Sequence, residues 1–97
     1  MTCTRLRIAA DHPALPGHFP GRPVVPGVVL LDCVAAAIER AYGARIAALP
    51  QVKFAAPLLP EQDAELRIEE KDGRLHFNVL RDGRPVASGI AETEGAA

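Results

Sequence analysis

A chain of 97 residues with 11 basic and 12 acidic side chains carries a formal charge of −1, which argues against a general nucleic-acid binder and leaves room only for a local patch. At this length one domain spanning residues 1–97 is expected, near the size where a core alone gives modest stability and a partner subunit is a common remedy. Cys3 and Cys33 make neither a disulfide framework nor a Cys-x-x-Cys pair, so a reduced, cytoplasmic setting is the expectation.

Residues Thr4 to Ala9 alternate polar and apolar side chains, as a half-buried first strand requires. From Asp11 to Pro26 the chain holds five prolines, two glycines and two histidines, so neither a helix nor a central strand runs through it. A loop this long, stiffened by so many fixed φ angles, suggests a shaped feature and not a slack linker. Val28 to Tyr42 then reads as the one helix, with Gly43 as its stop. Its apolar residues occupy nearly every face until Glu39 and Arg40, which predicts burial on most sides, under a sheet or a second subunit. Nor is a leader or a membrane span expected: no basic segment with a following apolar stretch opens the chain, and Asp32, Glu39 and Arg40 break the longest apolar run.

Ala44 to Ala48 has no clear period, and Gln51 to Ala55 reads as a short strand. Pro57-Leu58-Leu59-Pro60 forms an apolar turn or bulge. Ala64 to Glu70 and Arg74 to Arg81 alternate around Lys71-Asp72-Gly73, a hairpin signal. Arg81-Asp82-Gly83-Arg84 supplies a second turn, Pro85 to Glu92 the last strand, and residues 93–97 a frayed tail. One helix with about five hairpin-joined strands is an α+β pattern, not a βαβ array.

Two titratable groups stand out. His18 lies between Gly17 and Phe19-Pro20-Gly21, where glycines permit close backbone approach and prolines hold the ring. A neutral imidazole fixed in this way is suited to take a proton near neutral pH, although a ring satisfied by a backbone carbonyl would look the same. Asp32 follows four apolar residues and precedes Cys33-Val34-Ala35. Its carboxylate must face a pocket, a partner group or solvent, because an unpaired buried charge is expensive; held away from water it could donate a proton. The backbone N–H groups of Gly27 and Val28, at the helix start, could hold a developing enolate oxygen. A base, an acid and an oxyanion site together describe proton abstraction beside a carbonyl followed by loss of a leaving group. His12 reads as a loop-structuring residue and His76 as a strand position. His12, His18, Asp32 and Cys33 suit zinc by type but not by spacing, so no metal site is expected.

The run His18-Phe19-Pro20-Gly21-Arg22-Pro23-Val24-Val25-Pro26-Gly27-Val28, followed by Leu30, Leu31 and Asp32, resembles the signature of the hotdog-fold 3-hydroxyacyl-[acyl-carrier-protein] dehydratases. Lys53-Phe54 with Pro57-Leu58-Leu59-Pro60 is similar to their second half. The resemblance covers most of the chain and implies a curved antiparallel sheet wrapped around a central helix. It also implies a homodimer, or a pair with a related hotdog subunit, in which His18 of one chain meets Asp32 of the other. On that footing His18 abstracts the C2 proton of a 3-hydroxyacyl thioester and Asp32 helps the hydroxyl depart. Gly27 and Val28 polarise the thioester carbonyl, Phe19, Pro20 and Gly21 shape the entrance, and Arg22 and Lys53 meet an acidic acyl carrier protein. The products would be a trans-2-enoyl thioester and water, with no cofactor of the protein's own and phosphopantetheine carried by the substrate.

Three features depart from the family pattern. The carboxylate is Asp where the plain dehydratase branch has Glu, position 25 is Val where Met is usual, and the chain is shorter, especially before the first strand. Two other functions share these residues: a thioesterase on the same fold, and a non-catalytic subunit that binds acyl thioesters.

Overall fold

The computed structural model describes residues 2–9, 11 and 24–94. In chain order its elements are β1 (Thr2–Leu6), α1 (Gly27–Tyr42), β2 (Arg45–Phe54), β3 (Ala64–Lys71), β4 (Arg74–Arg81) and β5 (Arg84–Glu94). The strands form one antiparallel sheet in the order β1-β3-β4-β5-β2, with β1 and β2 at the edges. This is the α+β hotdog fold, a curved sheet against the one helix among the described residues.

The central three strands follow from two Asp-Gly turns. Asp72 and Gly73 both take positive φ, 54° and 75°, as do Asp82 and Gly83, 51° and 76°. Two successive left-handed residues match the right-handed twist of the flanking strands, so each turn closes a tight hairpin. The pairs Lys71 with Arg74 and Arg81 with Arg84 fix the registers on either side of β4. Alternation then sends Leu66 and Ile68 of β3, and Leu75, Phe77 and Val79 of β4, to the buried face.

α1 meets this face with Val29, Leu30, Val34, Ala37 and Ile38, all buried. It ends as expected: Gly43 sits in the left-handed region at φ 65°, and its N–H donates to the Glu39 carbonyl at 3.0 Å. The Tyr42 hydroxyl donates to the Ile68 carbonyl at 3.4 Å and accepts from the Thr2 hydroxyl at 3.3 Å, which fastens the helix end to β1 and β3. Within the single chain the sheet covers one side of the helix, and the rest of the expected burial is left to a second subunit. Val28 is 64 % exposed, and Asp32, Ala36, Glu39 and Arg40 are exposed behind it. Residues four apart stack on one face, and this face points away from the sheet.

Both edge strands differ from their sequence reading. β1 begins two residues before the expected Thr4 and stops at Leu6, because its partner β3 begins at Ala64, opposite Leu6. Beyond that point the Ile8 carbonyl accepts the Glu61 N–H at 2.8 Å instead. β2 runs from Arg45, through the stretch without a clear period, and includes Pro50. Bulges between Ile46 and Ala48 and between Ala48 and Gln51 break the two-residue alternation. The partly buried residues therefore recur every third position, at Ile46, Leu49 and Val52, a spacing that no strand template matches. An edge strand tolerates Pro50, since one side of it has no ladder to complete.

Gly89 sets how closely β2 approaches β5. A Cβ at this position would lie 2.5 Å from the Gln51 carbonyl oxygen and 2.6 Å from the Phe77 ring. Phe77, 1 % exposed, lies directly opposite Gly89 and covers it. Gly89→Ala should therefore lower stability by about 1–3 kcal/mol through overpacking. In urea unfolding the midpoint should fall with the slope unchanged.

Candidate active site

The beginning of α1 and the end of β2 form the two walls of an open cleft of about 450 Å³. On the helix side are Pro26, Gly27 and Leu30; on the other are Phe54, Pro57 and Leu58. The Val25 N–H donates to the Leu58 carbonyl at 2.8 Å and clips the walls together. Ala55 and Ala56 donate to the Val86 carbonyl at 2.8 and 3.3 Å, which holds the chain leaving β2 against β5. Leu58 is 1 % exposed and Leu30 3 %, so the cleft is apolar and rests on the core.

Pro26 starts the helix. It is extended, at φ −61° and ψ 145°, and its carbonyl accepts the N–H groups of Val29 at 3.0 Å and Leu30 at 3.3 Å. Among the described residues no side chain caps this end, and no acidic residue lies in the first turn. The N–H groups of Gly27 and Val28 have no acceptor among the described residues. They form the positive end of the helix dipole, beside an apolar wall, where a carbonyl oxygen gaining negative charge would be stabilised.

The structure describes four of the expected site residues, Gly27, Val28, Asp32 and Lys53. His18, Phe19, Pro20, Gly21 and Arg22 lie outside the described residues, as does His12. Gly27 lines the cleft, and Val28 stands next to it on the exposed face. Asp32 is exposed, one turn beyond Val28, and does not line the cleft. The apolar surroundings read from its neighbours belong to other faces of the helix. Lys53 is exposed on β2, and by alternation it projects from the sheet side opposite Phe54. Among the described residues no titratable side chain lines the cleft, and no three potential metal ligands gather. Nor is any helix among the described residues long and apolar enough to cross a membrane. By itself this part of the chain can hold an apolar group and polarise a carbonyl, while proton transfer needs groups from elsewhere.

Sequence reasoning missed Leu58 and Pro57 as cleft walls. The available signal was the apolar pair between Pro57 and Pro60, too hydrophobic for a plain surface turn. Leu58 takes the buried side and Leu59, 42 % exposed, the other.

Cys33 is half-buried beside Asp32. Burial, with a smaller contribution from the Asp32 carboxylate, pushes its thiol above the ordinary value, and Arg40 opposes this. Less thiolate near neutral pH means slower alkylation. With iodoacetamide at pH 8, Cys33 should react about tenfold more slowly than exposed Cys3. Asp32→Asn should accelerate Cys33, as peptide mass mapping would show.

The family described as ApeI-like, ApeI dehydratase, matches residues 1–90. The 3-hydroxyacyl-[acyl-carrier-protein] dehydratase FabZ of Haemophilus influenzae strain 86-028NP is 29 % identical over 100 residues, covering 91 % of this chain and 62 % of the relative. The chain thus spans less than two thirds of that relative's length. Among solved structures, a chain of the dehydratase heterocomplex ApeI:P from Xenorhabdus doucetiae superposes with a TM-score of 0.81 at 28 % identity, covering 94 % of this chain and 84 % of that one. A gentisyl-coenzyme A thioesterase, at 20 % identity and a TM-score of 0.65, shares the fold, covering 95 % of this chain and 87 % of that one.

Proposed function

The chain belongs to the ApeI-like family, and from that premise we propose that it is an acyl-thioester-binding hotdog subunit that serves the dehydration of a 3-hydroxyacyl thioester once a second hotdog subunit completes its site. The observation that carries this reading is the composition of the cleft. It offers apolar walls and the N–H donors of Gly27 and Val28, but no titratable side chain among the described residues. Exposed Asp32 is available to a substrate shared with a neighbouring subunit. The names of the relatives support the same chemistry, and the assembly of the Xenorhabdus doucetiae structure from two kinds of chain supports a related hotdog subunit as partner.

In the full proposal the thioester carbonyl lies at the start of α1, where the N–H groups of Gly27 and Val28 stabilise the enolate oxygen. His18 takes the C2 proton, and a carboxyl from the facing subunit, Asp32 where that subunit is a second copy of this chain, gives a proton to the departing C3 hydroxyl. The products are a trans-2-enoyl thioester and water. An acyl carrier protein presents the substrate on phosphopantetheine, with Arg22 and exposed Lys53 as its basic contacts.

A second reading keeps the binding and moves the chemistry to the partner. It is favoured by the absence of an acid–base pair on the described cleft. A thioesterase on the same fold would use the same cleft and is told apart by its products.

Two measurements decide. Calorimetry with crotonyl-pantetheine should show binding by the wild type and by Asp32→Ala alike. Mass-resolved turnover of 3-hydroxybutyryl-pantetheine should show loss of water that falls at least about 100-fold in both His18→Ala and Asp32→Ala. Binding without turnover assigns the chemistry to the partner, release of free thiol without enoyl product identifies a thioesterase, and no binding overturns the proposal.

A further inference from the structure

Three residues among those described take positive φ without being glycine, and two of them, Asp72 and Asp82, stand in the Asp-Gly hairpin turns that require it. The third is Glu61, at φ 67°, between β2 and β3, which do not pair with each other. The Gln62 N–H donates to the Leu59 carbonyl at 3.3 Å, so Leu59-Pro60-Glu61-Gln62 is a turn whose third residue is left-handed, a place that favours glycine. A glutamate adopts this conformation at a cost and keeps it only where surrounding contacts hold it.

Contacts that hold it reach one stretch of chain. The Glu61 N–H donates to the Ile8 carbonyl at 2.8 Å, and its carboxylate accepts from Arg7 at 2.9 Å. Asp63 places a further carboxylate 3.9 Å from Arg7. Just before the turn, the Leu58 carbonyl accepts the Val25 N–H at 2.8 Å. Ile8 and Val25 bracket the segment that contains His18, and both are buried, as is Leu58. One short stretch, Leu58 to Glu61, therefore holds both ends of that segment. The ion pairs of Arg7 are exposed and contribute little to the hold. The backbone bond to Ile8 is the larger part, and a residue that leaves the left-handed region opens the turn and withdraws that N–H.

We propose that the turn at Glu61 is a clasp that fixes where the His18-bearing segment leaves and rejoins the core, and that Glu61 is a positioning residue for the proposed base. The inference rests on the dehydration reading above, which gives His18 the C2 proton, and adds to it a residue that touches no substrate. Chain ends held by near neighbours leave the segment between them fewer arrangements than ends that move independently. A general base loses rate steeply when it is misplaced. The apolar walls at Leu30 and Leu58 and the N–H groups of Gly27 and Val28 do not depend on φ at Glu61, so binding of the acyl group is kept when the clasp loosens. The loss then falls on kcat and not on KM.

The test compares Glu61→Val, whose branched side chain resists the left-handed region, with Glu61→Gly, which enters it freely. Amide hydrogen exchange is followed by mass spectrometry on the protein as it assembles. Glu61→Val should speed exchange over residues 10–24 about tenfold with β3 and β4 unchanged, and Glu61→Gly should leave it at or below the wild-type rate. With 3-hydroxybutyryl-pantetheine, Glu61→Val should lower kcat about tenfold at constant KM, and Glu61→Gly should keep both. If Glu61→Val speeds exchange throughout the sheet, Glu61→Ala against Glu61→Gly decides, because both lack the carboxylate and only glycine takes the conformation without strain. The alanine variant should then exchange about fivefold faster over 10–24 and turn over more slowly. Equal exchange over 10–24 in the deciding variants overturns the clasp, and faster exchange with an unchanged kcat overturns the positioning role. In both cases the wild type still forms enoyl product and the dehydration reading stands. A wild type that forms no enoyl product overturns that reading and the positioning role with it.

Discussion

The contact between the buried face of α1 and the inner face of the sheet positions everything else. Val34 and Ile38 on the helix and Ile68 and Val79 on the sheet have no exposed surface, and they belong to one core cluster with Phe77. A sheet of this size has only this helix among the described elements to cover its apolar side. At about 25 cal/mol per Å² of apolar surface removed from water, that burial is the main source of favourable free energy. The ion pairs of Arg7 with Glu61 and Arg74 with Glu92 are exposed and add little. Fixing the helix against the sheet also fixes its first turn against the end of β2, which is where the cleft lies.

The cleft is therefore a consequence of packing at a distance. Gly89 lets β2 come close to β5 under Phe77, the bulge beside Val86 offers a carbonyl to Ala55 and Ala56, and Phe54 is carried over Gly27. Each step is a close approach of backbone to backbone or ring to backbone. Small residues stand where a Cβ has no room, at Gly89 and Gly27. The opposite face of α1 is built differently. Val28, Asp32 and Ala36 lie there without cover from the described residues, which suits a helix completed by a second subunit.

Much of the fold was legible from local chemistry. The two Asp-Gly turns need positive φ at successive positions, and alternation around them assigns β3, β4 and β5 within about two residues. The end of α1 at Gly43 was equally plain. β2 was not, because its bulges at Ala48 and around Pro50 convert a two-residue period into one of three. The site was legible only in part. Gly27 and Val28 announce themselves as the residues after a proline that opens an apolar run, whereas Phe54 and Leu58 carry no local mark of a cleft wall.

The sequence by itself determined the hairpins, the helix, the apolar character of both and the residue types of the proposed acid, base and oxyanion site, since each depends on neighbours within one turn of chain. Only the tertiary structure decided which face of α1 is covered, that Asp32 stands on the uncovered face and that Phe54 meets Gly27. Those outcomes depend on contacts between residues far apart in sequence, and the bulges that set them shift register by a single residue, which reverses the side on which every following side chain falls.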